Sequence, residues 1–292
     1  MPLYTYELIG GNGDHIFFDN RSFAILADGL SGLSGYPVTY ATIAPVGQIG
    51  EINASQTIGK RAISFTVAIL GNGRAELESK RQRLVSALNP LNTDCKLIWN
   101  REDGTTLWCM CRVDDGSPAF SSGTSHNSHI WTCDIDLIAA DPCWYSGTTI
   151  NAELRGFIGG FSLPFSLPVN FGGVGTTLDI VNTGDTPTPC EITLRGYLKD
   201  PVITNISTGE QITVRRTIQS GEKLVINTTP GKRSVILENL STGTRTNALS
   251  YTTIGSSFFS IPSGAVKVMY SATDEGSGAV GYISFTPRWL SV

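Results

Sequence analysis

Charged residues make up only 16% of this 292-residue chain, against about 25% in an average globular domain. That scarcity argues against a coiled coil and against a charge-rich disordered chain. No five like charges are adjacent, and the net charge is −4. No basic stretch therefore stands ready to neutralise duplex phosphates. No segment approaches 18 consecutive apolar residues, which excludes a hydropathy-defined membrane helix. The opening residues, Met1 to Glu7, lack a basic region followed by a long apolar run. That pattern predicts no secretion signal and folding in a cytoplasm.

Chemistry-bearing motifs are also few. There are three histidines, His15, His126 and His129. The last two share a polar loop, and a metal reading would need a third ligand. No G-x-S-x-G, H-E-x-x-H or Walker A sequence occurs. Gly71-Asn72-Gly73 lacks the further glycine of a phosphate cradle and reads as a strand-to-helix turn with a capping Asn. Asp114-Asp115-Gly116 and Asp141-Pro142 are the best acidic candidates for a glycosidase pair, but turns are their commoner use. The six cysteines, Cys95, Cys109, Cys111, Cys133, Cys143 and Cys190, contain no C-x-x-C. They read as small buried hydrophobes in a reducing compartment. No catalytic residue, metal site or cofactor is assigned. The Asn-x-Ser/Thr triplets at Asn20, Asn53, Asn205, Asn227 and Asn239 read as turns.

What the chain has in plenty is turn formers and alternation. Glycine and proline number 32 and 14, above average usage. Ile63, Phe65, Val67 and Ile69 alternate with Ala62, Ser64, Thr66 and Ala68, a half-buried strand. Trp131, Cys133, Ile135 and Leu137 repeat the pattern. Strands at 95–99 and 106–113, parted by Glu102-Asp103-Gly104, read as a hairpin. One helix is expected over 75–88, with Leu77, Leu84, Val85 and Leu88 on its buried face and a Glu76–Lys80 pair on its exposed side. Its Lys80, Arg81 and Arg83 are a solvated face before they are a nucleic-acid contact. Residues 29–59 read as a long arm with one short strand, ordered against a neighbour or mobile. A seam follows Trp144-Tyr145. Residues 146–175 suit a linker plus an edge strand. Beyond them short strands recur at sandwich spacing, near 177–182, 190–197, 202–205, 211–218, 223–227, 234–238, 257–261, 265–271 and 280–286.

Three stretches carry a resemblance. They are Gly59-Lys60-Arg61-Ala62-Ile63-Ser64-Phe65-Thr66-Val67-Ala68-Ile69-Leu70-Gly71 with the helix to Pro90, then Asp141-Pro142-Cys143-Trp144-Tyr145, then the series from Asn182. That series runs through Gly184-Asp185-Thr186-Pro187-Thr188-Pro189, Asp200-Pro201-Val202-Ile203-Thr204-Asn205 and Gly221-Glu222-Lys223-Leu224-Val225-Ile226-Asn227-Thr228. Ile283 to Trp289 closes it. In this order the motifs resemble the tail-component family of siphovirus-type bacteriophages, the distal tail proteins; Asn227 stands where Asp is more usual.

The resemblance implies a mainly β protein. Residues 1–150 would form an N-terminal β-sandwich or split barrel with one α-helix and an extended arm. Residues 151–292 would form a C-terminal galectin-like β-sandwich. It also implies a virion protein assembled in the host cytoplasm. Six copies would ring the distal end of the tail, joining the tube protein to the tail-tip or tail-associated lysin protein. Receptor-binding or baseplate proteins would attach outside, and DNA would pass only through the channel. Near-neutral charge suits a channel that transmits DNA. Candidate ring contacts are the arm 29–59 and the hairpin 96–113, through strand addition. An alternative reading is a module binding host cell-wall polysaccharide, with Trp289 or Phe258 as the exposed aromatic.

Overall fold

In a computed structural model of the chain, which describes residues 5–47, 49–120, 127–155, 175–276 and 278–291, two compact units form. One comprises Met1–Gly147 with Trp289–Val292, the other Thr148–Arg288.

The first unit runs β1 (Thr5–Ile9), β2 (His15–Phe18), β3 (Phe23–Ser31), β4 (Val38–Ile43), β5 (Ile52–Ile58), β6 (Arg61–Leu70), α1 (Arg74–Ala87), β7 (Cys95–Asn100), β8 (Thr106–Val113), β9 (Ala119–Phe120), β10 (Ile130–Ala139) and β11 (Trp144–Ser146). Its main sheet has the order β2-β1-β7-β8-β10-β6-β3 and is nearly closed as a barrel. Alternation places the core. Ile63, Phe65, Val67 and Ile69 of β6 are buried, as are Cys133, Ile135 and Leu137 of β10. The register sets Val67 opposite Cys133, Phe65 opposite Ile135 and Ile63 opposite Leu137. On the other face Ser64 and Thr66 donate hydroxyl hydrogen bonds to the carboxylates of Asp136 and Asp134. The same two strands thus make an apolar ladder inside and a polar ladder outside.

Helix α1 buries Leu77, Leu84 and Ala87, with Leu88 just beyond. Glu76 and Lys80 pair at 2.7 Å. Two expectations about the helix need correction. Val85 is 40% exposed, because it lies about 100° round from Leu84, off the narrow buried stripe. Asn72 does not cap. Gly73 is the N-cap and offers no side chain; instead the Glu76 carboxylate reaches back to accept the Asn72 N–H at 2.9 Å, one residue before the N–H that a capping box would bond.

The arm also differs from expectation. Residues 29–59 hold two strands beside the end of β3, and β4 and β5 form a two-stranded sheet of their own. Asn53 lies within β5, so it is a strand residue and not a turn. Short polar side chains (Thr39, Thr42, Asn53, Ser55, Thr57) among few bulky ones concealed this hairpin, and beyond Val38 none of its residues is covered by the described residues.

The second unit runs β12 (Ile150–Arg155), β13 (Gly175–Asn182), β14 (Thr188–Arg195), β15 (Leu198–Lys199), β16 (Val202–Asn205), β17 (Glu210–Thr213), β18 (Thr217–Ile218), β19 (Glu222–Asn227), β20 (Ser234–Asn239), β21 (Arg245–Asn247), β22 (Ser260–Ile261), β23 (Gly264–Ser271), β24 (Asp274–Glu275) and β25 (Val280–Phe285). One sheet is ordered β12-β25-β14-β19-β20-β21, the other β13-β23-β16-β17. Leu154, Ile192, Leu194, Leu224, Ile226, Val235 and Ile283 from the first share a core with Ile180, Ile203, Ile212, Val266, Val268 and Tyr270 from the second. This is the two-sheet sandwich. The single strand expected over 211–218 is two, β17 and β18, in different sheets. Val214 between them is buried and bridges to Thr252. The expected edge strand after the seam is β12; the rest of that linker, 156–174, lies outside the described residues.

Candidate assembly surfaces

The arm's base is fixed by one buried cation. Arg61, 1% exposed, opens β6 and donates through Nε to Pro142 O at 2.8 Å. Its Nη1 donates to Gly32 O at 2.9 Å, Leu33 O at 2.8 Å and Gly35 O. Its Nη2 donates to Leu290 O. Among the described residues no carboxylate pairs with it, and burial lowers its pKa. One guanidinium therefore ties the start of the arm, the Asp141-Pro142 segment and the C-terminal return together by main-chain carbonyls. Trp144, fully buried, adds an Nε1–H bond to Leu33 O at 3.1 Å. Gly32 sits at φ +82, and a Cβ there would lie 1.9 Å from Ala62 O, so the chain can pass this point only as glycine. Gly59 N–H bonds Pro37 O at 2.9 Å and closes the stem.

Beyond the stem the hairpin is unsupported. Every residue of β5 is exposed, as is β4 after Val38. Tyr36, Tyr40, Ile43, Ile52 and Ile58 are among the exposed large hydrophobics, and Val46 and Ile49 at the tip are fully exposed. Glu51 is the sole charge from Tyr36 to Ile58. Among the described residues, both outer edges of the hairpin lack a strand partner. Near the arm's base, Tyr6, Leu30, Leu33, Ser34, Trp99, Arg101, Glu102 and Asp103 line a cleft of about 680 Å³, with Arg101 stacked over the Trp99 ring at 4.7 Å.

The hairpin 96–113 is a different object from the arm. Its strands β7 and β8 are interior to the sheet, each paired on both sides. Its main-chain groups are therefore satisfied along most of its length, with the turn at Glu102-Asp103-Gly104 and the side chains of Met110 and Arg112 exposed. This removes it as a strand-addition site.

The remaining candidates fall into turns, core and solvated pairs. Asp114 O accepts Ser117 N–H around Gly116, whose φ is +78. Asp141 caps Cys143 N–H at 3.1 Å and takes the Tyr145 hydroxyl. His129 N–H bonds Asn127 and its ring approaches Gly71 O; His126 lies outside the described residues. Asn205, Asn227 and Asn239 each accept main-chain N–H groups two residues on, and Asn20 takes φ +64. Lys80 is spent on Glu76 and Leu70 O, Arg81 on Glu78 and the Phe120 ring, Arg83 on His15 O. All six cysteines are free and buried. Burial pushes the Cys95, Cys133 and Cys190 thiols up to about 12, and the Cys109 contact with burial raises Cys111 further. Neither aromatic picked for a sugar site stands free: Trp289 packs on the first core and Phe258 on the second.

Residues 21–125 match the family described as a phage tail protein RIFT-related domain. Residues 183–289 match the C-terminal domain of the siphovirus-type tail component. Among solved structures, the Dit protein of phage SPP1, described as a paradigm of hub adsorption apparatus in phages infecting Gram-positive hosts, superposes with a TM-score of 0.67. It is 12% identical, with 98% of each chain covered. A chain of the phage P2 baseplate, in its activated conformation with Ca, gives 0.56 at 13% identity over 99% of each chain. The same baseplate with Sr gives 0.54 at 13% over 97%. No curated protein sequence matches. With both units matched by sequence to one kind of virion part, over most of the length, the chain belongs to the siphovirus-type phage tail components, as a distal tail protein.

Proposed function

We propose that the protein works as a closed ring of six copies at the distal end of the tail, built from residues 1–147 and sealed by the arm. The observation that carries this reading is the β4–β5 hairpin. A two-stranded ribbon is marginally stable alone in water, yet this one is anchored at its stem by Arg61 and displays apolar side chains with a single charge, Glu51. Such a ribbon gains its stability by lying on another surface or by adding strands to another sheet. Repeating one head-to-tail contact around an axis closes a ring, and each copy then both gives an arm and receives one.

In this reading the ring joins the tube protein above to the tail-tip or tail-associated lysin protein below. The second unit carries receptor-binding or baseplate proteins. DNA meets the channel only in passage, in a virion assembled in the host cytoplasm. Negative-stain images of the full chain test the reading. Rings are expected, and they are expected to vanish when residues 38–58 are replaced by a short Gly-Ser link. Rings that persist without the hairpin would remove the arm from the interface.

A further inference from the structure

The outward face of the larger sheet in the second unit is not a featureless polar surface. Its inward side chains fill the core, so the alternate positions of β12, β25, β14 and β19 all point out. Asn151, Ser284, Tyr282, Thr193, Arg195 and Lys223, with Leu240 at one end, line an open groove of about 370 Å³. The registers make the groove continuous. Asn151 stands opposite Ser284, Tyr282 opposite Thr193, and Arg195 opposite Lys223. It crosses four adjacent strands, roughly 14 Å at the usual spacing, the length of a short run of sugar rings.

The chemistry of the lining is selective. Tyr282 is 39% exposed and lies in the middle, where its ring offers an apolar face next to polar neighbours. Asn151, Thr193 and Ser284 surround it with donors and acceptors. Two cations line the groove and no carboxylate does, in a protein of net charge −4. Arg195 is exposed and makes no ion pair among the described residues. Lys223 contacts Glu238 at 3.1 Å, but Glu238 also holds Arg245 at 2.9 Å, so that trio keeps one positive charge. Glu153 and Glu191 share this outward face, directly opposite Tyr282 and Ser284 in register, and are outside the groove's lining.

We propose that this groove binds an anionic glycan, a chain whose sugar rings carry carboxylate or phosphate groups. A sugar ring lays its C–H face on Tyr282, its hydroxyls exchange hydrogen bonds with Asn151, Thr193 and Ser284, and its anionic group meets the fork of Arg195 beside Lys223. A protein or nucleic-acid partner fits less well. The groove has only one aromatic ring for base stacking, and its apolar area is too small for a protein anchor. A single groove of this openness binds weakly, and several copies on one particle multiply the effect through effective concentration.

The test uses the full-length protein on an array of uronate- and phosphate-bearing glycans printed beside their uncharged counterparts, with polyglutamate and single-stranded DNA as non-sugar polyanions. Retention on one or more anionic glycans is expected, at least tenfold above the uncharged counterparts and above both polyanions. Tyr282→Ala and Arg195→Gln should each reduce it at least tenfold while both variants keep a cooperative thermal transition, and Arg195→Gln, on an exposed side chain, keeps the melting temperature. No retention on any anionic glycan, equal retention on polyglutamate or DNA, or retention indifferent to both substitutions would overturn the proposal. The groove lies within one unit, so the result is independent of whether rings form.

Discussion

Arg61 is the residue on which the first unit's geometry turns, and its environment is unusual. Buried cations generally find a carboxylate; this one finds five carbonyl oxygens. The fork of a guanidinium can serve them together, whereas an ammonium has only three donors. Arg61→Lys should therefore destabilise the first unit by about 2 kcal/mol or more, through carbonyls left unpaired, and Arg61→Met by at least as much. Denaturant melts of the full chain check this, and a change below about 0.5 kcal/mol would refute it.

The cysteines make the opposite case: their types and spacing announce burial, and burial is what they do. The folded thiols of Cys95, Cys133 and Cys190 ionise far above the ordinary range, so their protonated form is a stabilising feature that is complete below about pH 8.5 and fades as pH climbs toward about 12. The expected slope is about 1.4 kcal/mol per pH unit for each buried thiol. Cys190→Ala should flatten that alkaline loss, and a thiol reagent should label the native protein only as fast as it unfolds. Arg61, by contrast, was legible only as one letter of a resembling motif. Nothing in its sequence neighbourhood announces carbonyl partners 26 to 229 positions away.

Among the elements, those that bury one face against their own chain are the ones that can be read from sequence. Strands β6, β10, β14 and β23 were visible because a buried ladder writes a period of two. Helix α1 was visible because Leu77, Leu84 and Leu88 write a period near 3.6. The β4–β5 hairpin buries almost nothing against the described residues, so its two strands left no apolar alternation and read as a loop. The short β15, β21 and β24 were invisible for another reason: two or three residues cannot display a period. The hairpin 96–113 was read correctly as a hairpin but wrongly as an edge, because pairing order is a property of the whole sheet.

The contrast between buried and unburied elements gives a prediction. Leu84→Ala in α1 should cost about 2–5 kcal/mol in stability. Replacing Tyr40, Ile43 and Ile52 of the arm by Ser should change stability by less than about 0.5 kcal/mol per site, since none of them is buried. Thermal melts of the dilute protein compare the two, and a large loss from the arm substitutions would mean that the hairpin packs on its own chain.

At the scale of the whole molecule, fold and family leave the assembly as the central matter. Sequence carried the family through the order of motifs and the sandwich through strand spacing. It did not carry the interface, because an interface residue looks like any exposed residue until the surface is seen. The account holds that apolar arms find their cover on neighbouring copies. Light scattering across a concentration series, on the full chain and on the triple arm variant, tests it most directly. The full chain should rise from 31.3 kDa to a discrete species of six-fold mass while the variant stays at the mass of one copy. A single-copy mass for the full chain at every concentration, or the same oligomer from both proteins, would contradict it.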